Sequence, residues 1–215
     1  MGLVYLDANV LVPSYPRTLL IMAAPLSDFA VVWSLHAEAE AERHQESGAA
    51  PISALRKRFG WDVLVPDGEV ELDDTDAKDK PIISAASLAG ADLIVTENVK
   101  DFGVQDLDRL RMSAVHPDLF LSRRLSTETY RDILGRLAKT RTREPNTATE
   151  MHRIETGERL PLLAGRMKHA YPVELASPLK SSPRIAFRGV RCVACVELLT
   201  TPSSTLDLCL ECRGA

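Results

Sequence analysis

The chain has 215 residues and a formal net charge of -4, room for one full domain and something smaller. No apolar run approaches the roughly 20 residues of a membrane span, and Asp7 interrupts the N-terminus too early for a secretory leader, so a cytoplasmic protein without a membrane partner is the expectation. Residues 1–121 carry 10 Lys/Arg against 20 Asp/Glu, and residues 122–215 carry 16 against 10; the first part suits a cation site, the second a phosphate backbone or an acidic partner.

In chain order, residues 3–6 read as a buried strand and residues 17–24 as a helix, with Pro13 and Pro16 suited to its first turn. Residues 31–33 form a short extended run, and Ser34 is a good N-cap for the Ala/Glu-rich helix after it. A helix over 51–59, a strand over 63–65 and a helix over 79–89 ended by Gly90 follow. Residues 92–96 and 112–115 are the last two strands, and Pro117 closes the domain near Leu121. Leu93-Ile94-Val95, apolar at successive positions, suits a parallel strand covered on both faces. Strands alternating with helices predict an α/β fold with a mostly parallel central sheet. In such a sheet ligands bind beyond the carboxyl ends of the strands, where Asp7 and Thr96-Glu97-Asn98 fall.

From Ser122 the texture changes. Residues 127–139 have a helical apolar pattern in Tyr130, Ile133, Leu134 and Leu137, and two shorter candidates follow at 147–155 and 159–169. The organisation predicted is an α/β domain over 1–121, a helical appendage over 122–170, a Pro/Ser-rich linker over 171–187 and a tail over 188–215.

Acids gather at four places: Asp7 with Asn9; Glu38, Glu40 and Glu42 on the helix after Ser34; Asp73, Asp74, Asp76 and Asp79; and Asn98 with Asp101. Carboxylates packed together repel, so such a site requires cations. Mg²⁺ or Mn²⁺ held by several carboxylates is a usual means of cleaving a phosphodiester, because the metal lowers the pKa of bound water and neutralises charge on the phosphoryl oxygens. Asp7 and Asn9 equally suit capping of backbone N–H groups where strand gives way to helix. Glu38 and Glu42 share one helix face and Glu40 lies nearly opposite, but the intervening residues are alanines, which do not identify the buried stripe. His36 reads as an ordinary surface histidine.

Leu6-Asp7-Ala8-Asn9-Val10-Leu11, Trp33-Ser34 through Glu40, Asp76-x-x-Asp79, Ala91-Asp92-Leu93-Ile94-Val95-Thr96, Asn98-Val99-Lys100-Asp101-Phe102 and His116-Pro117-Asp118 occur in an order and spacing that resembles a PIN domain, the nuclease fold of VapC-type toxins. The resemblance covers residues 1–121 and implies a three-layer α/β/α fold. It implies an acidic centre for Mg²⁺ or Mn²⁺ made by Asp7, Glu40, Asp79 and a group from the loop of Asn98 and Asp101, with Asp76 orienting a metal-bound water. Glu40 is chosen because it stands six residues after Ser34. Asn9 and Thr96 are expected as hydrogen-bonders rather than ligands. The activity implied is hydrolysis of RNA to a 5′-phosphate product by the toxin of a toxin–antitoxin pair. A small antitoxin would reach the acidic cleft through a basic residue, and a homodimer is common among such toxins. An RNA-processing nuclease without an antitoxin, or a PIN-fold module that binds RNA or protein without cleaving, are the alternatives.

In the tail, Cys192-Val193-Ala194-Cys195 and Cys209-Leu210-Glu211-Cys212 enclose thirteen residues. Two C-x-x-C pairs at this spacing predict a zinc-ribbon-like tail with tetrahedral thiolate ligation of Zn²⁺. Val196 stands where glycine is common in such turns, and Arg184, Arg188 and Arg191 beside the cysteines are candidates for phosphate contact. A disordered tail or a redox pair are the other readings.

Overall fold

A computed structural model of the protein describes residues 2–45, 51–59, 64–176, 185–203 and 207–213. Val63, Arg184 and the 177–184 part of the expected linker lie outside them.

The chain opens with β1 (Gly2–Leu6), whose Val4, Tyr5 and Leu6 are wholly buried, as a strand covered on both faces requires. A one-turn helix, α1 (Ala8–Leu11), follows at once, and α2 (Ser14–Ala23) starts from Pro13. After a 3-10 turn at Ala24–Leu26, β2 (Phe29–Ser34) runs into α3 (Leu35–His44). The Ser34 hydroxyl caps α3 by accepting the Ala37 N–H at 3.2 Å, and the buried Tyr5 hydroxyl donates to it at 2.9 Å. Next come α4 (Ile52–Phe59), β3 (Leu64–Val65) and α5 (Lys80–Leu88), with Pro81 harmless in its first turn. β4 (Leu93–Val95), a 3-10 turn at Val99–Asp101, α6 (Val104–Arg109) and β5 (Ser113–Val115) complete the alternation.

These five strands are parallel in the order β3-β2-β1-β4-β5. The registers Leu6 to Val95 and Val95 to Val115 align their carboxyl ends, and the ladder continues past them: Asp7 N–H donates to Val95 O and Thr96 N–H to Val115 O. Asp7 and Thr96 are thereby fixed side by side.

Two features differ from the sequence reading. Pro117 does not close the domain but opens α7 (Pro117–Arg124), where its missing N–H costs nothing. The tail does not stand apart from the sheet. β6 (Phe187–Arg191) pairs antiparallel with β5, Phe187 opposite Val115 and Gly189 opposite Ser113, and β7 (Leu198–Ser203) pairs with β6. The result is a seven-stranded mixed sheet. Phe187-Arg188-Gly189-Val190-Arg191, with a central glycine and two arginines, carries little of the alternation by which a strand is recognised.

The appendage begins with α8 (Thr127–Thr140), which buries the predicted Tyr130, Ile133 and Leu134. Then come α9 (Ala148–Met151), a π-helical turn at His152–Thr156, α10 (Gly157–Arg159), α11 (Pro161–Arg166) and a 3-10 turn at Met167–His169. Buried polar contacts fasten it to the first part. The Thr156 hydroxyl bonds the hydroxyls of Tyr15 (2.6 Å) and Tyr130 (2.7 Å). Asp118, wholly buried on α7, accepts the N–H groups of Leu162 and Leu163, each at 2.9 Å. A last short helix, α12 (Leu210–Arg213), carries Cys212.

Candidate functional sites

At the carboxyl edge of the sheet, Asp7 is a buried carboxylate with several donors. Its Oδ1 accepts the Ala8 N–H at 2.6 Å; its Oδ2 accepts Asn9 Nδ2 at 2.6 Å and the Thr96 hydroxyl at 2.7 Å. Thr96 Oγ1 in turn accepts Asn9 Nδ2 and the Asn98 N–H, both at 3.1 Å. Asn9 Oδ1 accepts the Glu97 N–H at 3.0 Å. Asp7 thus caps α1, as one sequence reading had it, while Asn9 and Thr96 orient its carboxylate. Burial nevertheless pushes the Asp7 carboxyl up to about 6, with repulsion from Asp79 and Glu40 adding to it.

Asp79 occupies the N-cap position of α5 but makes no capping bond with its side chain. Its Oδ2 is buried without a hydrogen-bond partner, 3.9 Å from Lys78 Nζ. Burial raises this carboxyl too, to about 6; Lys78 opposes the shift, and Asp101, Asp76 and Glu40 reinforce it. Lys78 Nζ also donates to Asp101 Oδ2 at 3.1 Å. Asp7, Glu40, Asp76, Asp79 and Asp101 therefore share one electrostatic neighbourhood. Asn98 joins it through its backbone, its side chain being exposed.

Sequence reasoning missed the residue that shapes this loop. Asp106, buried on α6, accepts the N–H groups of Asp73, Asp74 and Thr75 at 3.1, 2.9 and 2.8 Å. Its backbone and side-chain donors outweigh the cost of burial and hold its carboxyl below the usual value. Gly103 completes the fit, because a Cβ there would fall 2.5 Å from the Asp74 carbonyl carbon. An isolated acid on a short helix gives no such signal in sequence.

On α3 the three glutamates separate. Glu38 is buried and spent on structure, accepting Trp33 Nε1 at 2.9 Å and Arg56 Nη2 at 3.2 Å. Glu42 is exposed and accepts from Ser53. Glu40 lies beside the acids and near His36, whose Nε2 is 3.8 Å away.

A hard dication takes oxygen ligands and often keeps several waters, needing only one or two carboxylates directly. The donors at this edge fit Mg²⁺ or Mn²⁺ in kind, and the unbonded Asp79 Oδ2 is the atom best placed to take a cation. Among the described residues, however, no three carboxylates bring ligand atoms within 4.8 Å of one another.

The cysteines do. Cys192, Cys195, Cys209 and Cys212 have sulfurs within 4.8 Å of one another, none in a disulfide. Cys195 and Cys209 sulfurs are 3.6 Å apart, against the ~3.8 Å edge of a tetrahedron with Zn–S bonds of about 2.3 Å. The Cys212 N–H lowers the Cys209 thiol to about 7, and burial raises Cys195. This quartet could hold a metal ion. It sits at the opposite edge of the sheet, where a Cβ on Gly2 would meet Val196 at 2.9 Å. Val196 has φ 60°, the left-handed conformation that explains why glycine is common at this turn.

Arg188 and Arg191 both bond backbone carbonyls. Arg188 Nη1 donates to the carbonyls of Lys100 (2.7 Å) and Phe102 (3.0 Å), bracketing Asp101; Arg191 bonds the carbonyls of Arg111 and Val196. Among the described residues no helix is long and apolar enough to cross a membrane.

No family model, no curated protein and no solved structure matches this chain.

Proposed function

We propose that this protein is a metal-dependent endoribonuclease of PIN-like, three-layer α/β/α design, acting as the toxin of a toxin–antitoxin pair. The observation that carries the reading is Asp79 Oδ2, buried, without a hydrogen bond, its carboxylate repelled by Glu40, Asp76 and Asp101 and itself repelling Asp7. A buried carboxylate oxygen without a partner is costly unless something else stabilises it. Asp79 and Asp7 would hold Mg²⁺ or Mn²⁺, with Glu40, Asp101 and Asp76 binding through water. When bound, the metal supplies an acidic water and neutralises charge on the phosphoryl group. The chain's own part is orientation: Thr96 and Asn9 fix the Asp7 carboxylate, Asp106 fixes the loop before Asp79, and Lys78 offers an ammonium donor beside Asp79 and Asp101. The cysteine quartet is a structural Zn²⁺ site.

A second reading is a PIN-fold module that binds RNA without cutting it, favoured by the lack, among the described residues, of three carboxylates close enough to share one ion. Cleavage of labelled single-stranded RNA in EDTA, Mg²⁺ and Mn²⁺, with Asp7→Asn alongside, separates the two. Metal-restored cutting abolished by Asp7→Asn is expected; inertness under both metals sinks the nuclease reading. Growth arrest on expression, relieved by a small neighbouring gene, distinguishes a toxin from a processing enzyme. Sedimentation of the purified protein tests the homodimer.

A further inference from the structure

Beside the acids lies a cleft of about 380 Å³ whose walls include Asn9, Val12, Pro13, Glu40, Glu97 and Arg159. The first four come from the sheet's carboxyl edge and the helices next to it. Arg159 comes from the appendage, as the last residue of α10.

Its placement is braced on both sides. Three residues before it, Thr156 is tied to Tyr15 and Tyr130; three residues after it, Leu162 N–H is held by Asp118. The π-helical turn ending at Thr156 brings that hydroxyl inward and wholly buried, and such turns are frequent at functional sites. The side chain itself is exposed and, among the described residues, forms no ion pair. Glu97 attracts it electrostatically from across the cleft without closing on it. A guanidinium needed only to neutralise Glu97 would pair with it. An exposed guanidinium at the rim of a cleft that also holds Glu40, Val12 and Pro13 is suited to an anion entering that cleft.

We propose that Arg159 binds a phosphate of the nucleic-acid strand entering the cleft, so that the helical appendage is one wall of the substrate site. The inference rests on the ribonuclease reading for the identity of the strand, but not for the contact itself. The probe is a fluorescein-labelled single-stranded RNA oligonucleotide, with Ca²⁺ replacing Mg²⁺, titrated by anisotropy against wild type, Arg159→Ala and Arg159→Lys at several salt concentrations. Arg159→Ala should weaken binding about tenfold, the scale of one charged hydrogen bond. It should also reduce the slope of log K against log salt by about 0.7, the share of one phosphate contact on a single strand. Arg159→Lys should keep the slope and lose part of the affinity.

Equal affinity and slope in wild type and Arg159→Ala, both with wild-type melting temperatures, would overturn the proposal. So would a wild type that binds no RNA, or a glutamate-rich peptide whose binding alone depends on Arg159. Arg159-dependent RNA binding without metal-dependent cleavage would leave the contact standing and remove the nuclease. Equal Arg159 dependence with single-stranded DNA would confirm the phosphate and show that the ribose is read elsewhere.

Discussion

Where β1 begins, four sulfurs lie within 4.8 Å of one another; where it ends, the described carboxylates form no such group of three. The cysteine edge is closed, with ligands enough for a tetrahedral ion and no position to spare. The acid edge is open, with the buried Asp79 Oδ2 left without a hydrogen bond and a cleft alongside. Under the proposed function, that is the division expected between a metal that holds a fold and one that meets a substrate. Within the acid edge the same division recurs in miniature. Asp106 has three backbone donors and is stabilising; Asp79 has none on Oδ2 and is not.

The largest effect should come from the closed edge. Metal analysis of the purified protein should find one zinc per chain. Removing it with a strong chelator should unfold the hairpin of β6 and β7, with a loss on the order of several kcal/mol, since ion binding contributes much of the folding energy of short thiolate-ligated segments. Protein that purifies without zinc and melts unchanged with chelator would break the contrast.

Asp79→Asn comes next. It should lower cleavage by about 100-fold or more. Because it removes a buried charge that lacks a donor, it should also raise the melting temperature in EDTA near pH 7.5. A variant both inactive and less stable would make Asp79 a structural acid like Asp106. Asp106→Ala is the mirror experiment. Loss of the acceptor for three N–H groups should cost about 2–3 kcal/mol in urea melts, with activity falling only as far as the loop of Asp79 loosens.

The pH dependence is the finest probe. Asp79 titrates at about 6 in the fold, against 3.8 for an unperturbed aspartate, so the folded state binds the extra proton between those values. The penalty of its charge is full above pH 6 and gone below 3.8. The stability advantage of Asp79→Asn over wild type in EDTA should therefore shrink as pH falls from 6 to 4. For Asp106, whose carboxyl is lowered, the sign reverses: its contribution is present above 3.8 and lost as pH falls further. An advantage of Asp79→Asn that does not vary with pH would show that the fold does not raise the Asp79 carboxyl at all.

Much of the scaffold was legible in the sequence because its signals are local. Apolar runs gave β1, β2 and β4, and Ser34 marked a helix start that the structure bears out. What escaped was set by partners far along the chain. Nothing local distinguishes Glu38, bound to Trp33 and Arg56, from Glu40 two residues later. Asp106 acts on residues 31 to 33 positions earlier. Arg188 and Arg191 looked like candidates for phosphate contact beside the cysteines, yet Arg188 Nη1 donates to the carbonyls of Lys100 and Phe102, and Arg191 to those of Arg111 and Val196.

β6 has one more consequence. It runs from the acid edge, where Arg188 brackets the Asp101 loop, to the cysteine edge, where Arg191 gives way to Cys192. It also covers the outer side of β5. A fragment ended at residue 121 or 170 would present β5 as a bare edge with unpaired N–H and C=O groups, a template for self-association. Such a fragment should sediment as aggregates where the full chain does not, and its inactivity would then report clumping rather than chemistry.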